Sequence, residues 1–324
     1  MRLEDIGFYT LSEKRVQQLS STSPMWRCEI IITGRCNFKC PYCRGPEIIQ
    51  SDAKKDLSSD QVFNTLNYWI KDGLKNIRFS GGEPTLHSDL SYFVNYCKNN
   101  KVERIAVSTN GSNSITTYNQ LLFAGVNDFS ISLDACCSSA GHQMTGREGQ
   151  WEKVVTNIGY LAKRTYVSVG VVLTEDNLSE TIKVIDYAHS LGVSDIRIIP
   201  SAQNNKNPEN LDFLSEEIRE AHPILNYRVN NILTQKEVRG ISNPEHNRCY
   251  LVMDDSAVAG NHHFPCIIYM REGGSPIGEV GPNMRQERIN WSESHNVYTD
   301  SICRANCLDV CCFFNERCSE LCEF

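Results

Sequence analysis

The 324-residue chain can bury a full core in one large domain plus a smaller one, and its formal net charge of -7 supplies no basic footprint for nucleic acid. No apolar run approaches the roughly 18 residues of a membrane span, and Met1–Asp5 lacks the basic and apolar regions of a signal peptide, so a cytoplasmic protein without a membrane partner is expected. Fifteen cysteines in so long a chain argue against a small secreted disulfide scaffold and for metal or cluster ligation, the more so because eight of them follow residue 248.

Residues 1–27 are polar and Ser/Thr-rich around Leu19–Pro24, an arm or cover with little to bury. From residue 28 the pattern alternates. Apolar, β-branched runs predict strands at 28–33, 76–80, 104–108, 128–133, 166–173 and 195–199. Helices are predicted between them at 58–71, 88–99, 115–123, 150–164 and 178–190, with Gly73, Gly125 and Gly192 as stops. Six strands separated by helices imply an α/β fold with a parallel sheet. An Asn- and Pro-rich start at 201 leads into a helical pattern at 211–221, read as a closing helix and linker. After Arg248 the composition turns to Cys, Gly and His, which folds poorly on apolar burial and calls for a metal staple. The divisions drawn are an arm at 1–27, a core at 28–234 and a small cysteine-rich domain at 235–324.

The chemistry lies at the carboxyl ends of the strands, where open α/β sheets and barrels put their sites. Cys36, Cys40 and Cys43 follow the first strand. Three thiolates are one short of the four that close a structural zinc or a ferredoxin cluster, which leaves a position for a ligand. The second strand delivers Gly81, Gly82 and Glu83: two glycines permit close backbone approach, and the carboxylate suits a cationic group. Read alone, this is a glycine turn before a helix. Ser108 and Asn110 end the third strand and Ser132 and Asp134 the fourth, offering hydroxyl, amide and carboxylate groups that equally suit caps and turns.

The C-x3-C-x2-C spacing with aromatic Tyr42, followed in order by Gly-Gly-Glu and by Ser132-x-Asp134, resembles the radical S-adenosylmethionine (radical SAM) superfamily. Ser130 to Asn177, through Met144-Thr145-Gly146-Arg147, looks like its molybdenum-cofactor cyclase branch. The paired arginine and glycine tail of that cyclase is not found, so its substrate is not carried over. The resemblance implies a six-unit (β/α) partial barrel. It also implies a 4Fe-4S cluster on Cys36, Cys40 and Cys43, with S-adenosylmethionine held by Tyr42, Gly81, Gly82, Glu83, Ser108, Asn110, Ser132, Asp134 and Thr174. One electron, from a donor such as flavodoxin or ferredoxin, then cleaves the sulfonium to methionine and a 5'-deoxyadenosyl radical that takes hydrogen from the substrate.

In the tail, Cys249-x16-Cys266 followed by Cys303-x3-Cys307 resembles the twitch extension of some radical SAM dehydrogenases, which carries one auxiliary 4Fe-4S cluster. Cys312-x5-Cys318-x3-Cys322 resembles part of the larger SPASM extension, although Asp309 stands where that pattern has its first cysteine. With Cys311, these eight cysteines are the auxiliary candidates, and a structural zinc site is the competing assignment. His262 and His263 are ligand candidates near Cys266, with a solvated or core-satisfied histidine as the default. Cys249 has a second possible role as hydrogen donor to a substrate radical. Cys28 and Cys97 read as buried free thiols, and Cys136 and Cys137, beside Asp134, carry no assignment.

The expected activity is a net oxidation, a dehydrogenation or crosslink, with the auxiliary cluster as electron sink. The alternatives are a redox-neutral epimerase or rearrangement enzyme, and a zinc or iron-sulfur binding protein without turnover. Substrate class stays open between a peptide and a small polar metabolite. The 27 residues before the first strand leave no room for a leader-binding domain of roughly eighty, which tilts the expectation to a small molecule or a partner-presented peptide.

Overall fold

A computed structural model describes residues 5–43, 56–203, 206–208 and 211–321. Its strands are β1 (Arg27–Thr33), β2 (Asn76–Gly81), β3 (Arg104–Thr109), β4 (Asp128–Ser132), β5 (Tyr166–Leu173), β6 (Asp195–Pro200), β7 (Asp255–Ala259), β8 (His262–Phe264) and β9 (Gly278–Glu279). The helices to residue 200 are α1 (Glu13–Gln18), α2 (Ser59–Asp72), α3 (Leu90–Asn99), α4 (Ile115–Ala124), α5 (Ser138–Thr145), α6 (Gln150–Ala162) and α7 (Thr181–Ser190). Beyond it come α8 (Glu216–Ala221), α9 (Pro223–Leu233), α10 (Ile267–Arg271), α11 (Met284–Ser294), α12 (Ser301–Asn306) and α13 (Asp309–Leu321). All six predicted strands form, within a residue at each end. The chain divides into two compact units, one of residues 1–35, 44–106 and 239–324, the other of 36–43 and 107–238; β3 begins in the first and ends in the second.

In the first unit the strand order is β2-β1-β7-β8-β9. β1 pairs in parallel with β2 and with β7, so its apolar residues are covered on both faces: Ile30, Ile31 and Ile32 are all buried. Against β1 packs α2, which opens on a capping box between Ser58 and Gln61 and stops at Gly73 in the left-handed region (φ 99). In the second unit β4, β5 and β6 pair in parallel, and Phe129, Ile131, Val167, Val169, Ile196 and Ile198 are buried. Each such side chain contributes roughly 1.5–3 kcal/mol relative to exposure. Among the described residues no helix is long and apolar enough to cross a membrane.

Four expectations need correction. The first 27 residues bury more than their composition suggests, because Ile6, Phe8, Tyr9, Val16, Leu19 and Met25 are buried, and Tyr9, Val16 and Leu19 pack with Phe314 and Cys318 of α13. Arg15, also buried, donates to Asp254 Oδ2 (2.8 Å). The 211–221 segment is a short turn followed by α8 rather than one helix, and α9 follows it. The cysteine-rich region contributes regular structure, with β7 aligned as Arg27↔Asp255 through Ile31↔Ala259. Helix α5 falls in a stretch with too little apolar periodicity to reveal it.

Candidate active site and auxiliary metal centre

In the second unit the thiols of Cys36, Cys40 and Cys43 sit on one loop, Cys36 and Cys43 exposed and Cys40 half-buried. Burial first, then the charges of Asp134, Cys43 and Cys36, pushes the Cys40 thiol up to about 12, so the three thiols are close enough to oppose one another's ionisation. A bound cation reverses that penalty, because a coordinating thiol is deprotonated outright. The donor set therefore fits a metal cluster.

The loop is braced on all sides. Phe38 N–H donates to Cys36 Sγ (3.4 Å), and Asn110 Nδ2 lies 3.9 Å from the same sulfur while donating to Asn37 Oδ1 (2.8 Å). Asn37 in turn donates to Ser112 Oγ (2.8 Å). From the other side Lys39 N–H donates to Thr145 O (3.1 Å) and Arg147 Nη1 to Asn37 O (3.2 Å). Tyr42 Oη donates to Asp134 Oδ2 (2.5 Å), and Asp134 Oδ1 accepts the Val172 N–H (2.7 Å). Burial raises Asp134 from 3.8 to about 6 against the lowering effect of those two bonds. Asn177 fixes the region beyond, donating to Asp134 O (3.1 Å) and Val172 O (2.9 Å) and accepting from Thr174 N–H (2.8 Å). The predicted residues Tyr42, Asp134 and Thr174 thus fall in one polar network and Asn110 in a second, each reaching the thiol loop. Ser132 is exposed at the end of β4 and Ser108 half-buried on β3. Asn37, Ser112 and Asn177 escaped sequence reading; the Thr174-x-x-Asn177 turn signal was the available clue.

In the first unit, Gly81 and Gly82 lie against the exit of β1. A Cβ at Gly81 (φ 149) would stand 2.2 Å from Thr33 O, and one at Gly82 2.3 Å from Arg35 O. The close approach carries two backbone bonds, Gly82 N–H to Thr33 O (2.8 Å) and Glu83 N–H to Arg35 O (2.7 Å). Glu83 is buried, its Oε1 accepting from Thr85 N–H (3.1 Å) and Oγ1 (2.5 Å), so the carboxylate also caps the following turn.

The same unit holds a small, partly open recess lined by Cys249, Cys266, Cys303, Cys307 and Cys311, with Leu251, Ile268, Trp291 and Val297 among its walls. Burial lifts Cys249 to about 11, with Cys311 contributing. Cys266 and Cys303 are also raised, by burial first and then by neighbouring thiols; for Cys307, hydrogen bonds with Cys311 and Cys312 come first. Asn315 aims this wall: its Nδ2 lies 3.8 Å from Cys249 Sγ, and its Oδ1 accepts from Tyr250 N–H (2.8 Å) and Leu251 N–H (3.0 Å). Five thiols on one recess exceed the four a closed cluster takes, so the donor set fits one. His295, Asp300 and Cys303 also form a possible mixed metal set. Cys312 is directed to Gly240 O (3.6 Å), Cys318 is fully buried among Tyr9, Val16 and Phe314, and Cys322 lies outside the described residues. His263 is bound to Glu287 Oε2 (2.8 Å) and Arg288 Nη1 (3.2 Å) and held near 3 by burial and the Arg288 charge, a core-satisfied histidine. Cys28 and Cys97 are buried free thiols, as their sequence positions suggested.

Residues 30–195 match the model of the Radical SAM superfamily. A probable GTP 3',8-cyclase of Metallosphaera sedula is 26% identical over 178 residues, 54% of this chain and 56% of that protein. Molybdenum cofactor biosynthesis protein 1 of Drosophila melanogaster is 30% identical over 189 residues, 56% of this chain and 33% of that protein. The chain thus spans about half, or less, of the length of these curated relatives. Among solved structures, native anSMEcpe with bound AdoMet superposes with a TM-score of 0.60 at 14% identity, covering 91% of this chain and 96% of that one. Streptococcus suis SuiB bound to precursor peptide SuiA gives a TM-score of 0.60 at 14% identity, covering 88% and 68%. The shared fold is an α/β partial barrel on a mostly parallel sheet with a cysteine-rich C-terminal region.

Proposed function

Because the chain belongs to the radical SAM superfamily, we propose that it reductively cleaves S-adenosylmethionine and takes hydrogen from a peptide or a small polar metabolite. The observation that carries this reading is the Cys36–Cys43 loop, whose gathered thiols are tied through Tyr42 to Asp134 and through Asn37 to Asn110 and Ser112. When bound, the cluster and S-adenosylmethionine supply a one-electron cleavage of the sulfonium and the hydrogen-abstracting radical that results.

This chain's residues position and shield that chemistry. Cys36, Cys40 and Cys43 hold the cluster. Gly81, Gly82 and Glu83 take the methionine end of the cofactor, and Ser108, Asn110 and Ser132 its ribose and carboxylate. Tyr42, Asp134 and Thr174 order the rim on which it rests, an arrangement their hydrogen bonds support. The five-thiol recess supports one auxiliary cluster, which serves a net oxidation as electron sink. Cys249 shares that recess with four other thiols, which supports ligation over the alternative role of hydrogen donor in a redox-neutral epimerisation. Neighbours of the same fold have been solved with a precursor peptide and with a Cp18Cys peptide, which favours a peptide over a small metabolite.

The test is formation of 5'-deoxyadenosine by anaerobically reconstituted protein given electrons from dithionite or a flavodoxin. Cys40→Ala abolishes it in this reading; undiminished cleavage by that variant defeats the assignment.

A further inference from the structure

Cys136 and Cys137 follow Asp134 on the loop between β4 and α5, and none of the chemistry above uses them. Cys137 is exposed and immediately precedes α5. Its sulfur lies 3.4 Å from Ser139 Oγ. That hydroxyl, then the Ala140 N–H and the Cys136 thiol, stabilise its thiolate and lower its pKa. Cys136 is half-buried, with its thiol 3.8 Å from Glu180 Oε2. Burial, the Glu180 charge and Cys137 all raise it. Two adjacent thiols therefore differ in character: one exposed and thiolate-prone, the other kept protonated beside the Glu180 carboxylate, whose Oε1 accepts from Lys183 Nζ (3.2 Å).

We propose that Cys136 and Cys137 form a redox-active dithiol that takes small disulfides as its oxidant, with Cys137 the attacking nucleophile, Cys136 the resolving thiol and Glu180 its proton acceptor. The Cys137 thiolate attacks one sulfur of the incoming disulfide, forming a mixed disulfide and expelling one thiolate. Cys136 gives its proton to Glu180 and attacks the Cys137 sulfur, closing a bond between the two cysteines and expelling the second thiolate, which recovers that proton. The pair loses two electrons, and the disulfide gains them as two thiols. Adjacent Cα atoms stand about 3.8 Å apart across a trans peptide, short of the roughly 4.4–6.8 Å that disulfides ordinarily span. The closed form is therefore strained and readily reduced, which suits a reversible couple rather than a staple.

The site is tested on the full chain, with oxidised glutathione as the probe and peptide mass mapping after alkylation as the readout. In the parent the peptide carrying both cysteines loses two hydrogens and escapes alkylation, and dithiothreitol restores both sites. Cys136→Ser holds a glutathione adduct on Cys137, and Glu180→Gln makes that adduct accumulate in the presence of Cys136. Iodoacetamide reacts at Cys137 with a pH midpoint below the ~8.5 of a free thiol, and Ser139→Ala moves the midpoint up. Buried Cys28 and Cys97, unalkylated in the same digest, report that each variant is folded. Full alkylation of both thiols after glutathione, or a Cys137 midpoint at or above that of a free thiol, overturns the proposal. Neither reagent depends on S-adenosylmethionine cleavage, so the result is separate from that reading.

Discussion

Gly82→Ala tests whether the loop leading to the cluster thiols is set by backbone packing. An added Cβ stands 2.3 Å from Arg35 O, 2.6 Å from Arg35 C and 2.9 Å from Gly34 O. Carbon and oxygen rest comfortably at about 3.3 Å, so the two backbones must part by about 1 Å. Nothing flexible can yield, since the atoms met belong to main chain. The separation strains or breaks the Gly82 N–H bond to Thr33 O and the Glu83 N–H bond to Arg35 O. Two such bonds at about 1 kcal/mol each, with about 1–3 kcal/mol for overpacking, give a loss of roughly 3–5 kcal/mol. Arg35 directly precedes Cys36, and a 1 Å displacement of catalytic geometry can cost about 10²-fold in rate. Denaturant melts read the stability, and 5'-deoxyadenosine formation after anaerobic reconstitution reads the rate. A Gly82→Ala protein that melts with the parent and cleaves S-adenosylmethionine at the parent rate would refute the reasoning.

Asp134→Asn concerns pH. Asp134 has a folded pKa of about 6 against 3.8, so its ionisation opposes folding above about 6, and that cost disappears as pH falls towards the unfolded value. Roughly two units correspond to about 3 kcal/mol at neutral pH. The amide removes that cost, its oxygen accepting from Val172 N–H and its Nδ2 donating to Tyr42 Oη in a reversed bond, so the variant gains stability at pH 7.5 and the gain closes near pH 4. Denaturant titrations across that range check it, and a pH-independent difference counts against burial as the cause. Arg15→Met leaves Asp254 buried without its guanidinium and lowers the unfolding free energy by about 3–5 kcal/mol, read from the denaturation midpoint. Cys266→Ala lowers iron and acid-labile sulfide per chain, whereas Cys318→Ala keeps both and costs about 1 kcal/mol of stability. Equal metal loss in the two variants would show that the recess does not define the ligands.

The six strands to Pro200 were legible because each carries a β-branched run long enough to bury, and strands joined by helices leave few arrangements other than parallel. The thiol loop was legible for the same local reason: its spacing and its place after a strand lie within eight residues. The illegible parts depend on partners distant in sequence. Nothing near Asn37 announces Ser112, 75 positions on, as its acceptor. Five residues opening on Asp255 and Ser256 give no sign that β7 will pair with β1, and α5 buries only Gly141 and Met144, too few apolar positions to stand out by period.

Helix α13 carries the one signal in the tail that periodicity held in plain view. Phe314 and Cys318 are four residues apart and so share a face, with Cys311 one turn before Phe314. A cysteine in register with a phenylalanine on an amphipathic helix belongs first to the apolar stripe, and Cys318 indeed packs with Tyr9 and Val16. Cys311 stands where that stripe meets the recess, partly buried against the cluster of Tyr9 and Phe314 while lining the cavity with Cys249 and Cys266. The amino-terminal arm and the cysteine-lined recess thus meet on one helix that serves two kinds of burial. Apolar packing holds its later turns against the amino-terminal arm, and Cys311 near its start faces the thiol-lined recess. Spacing between cysteines alone cannot separate these roles, because it counts sulfur atoms without asking which face of the helix each one occupies.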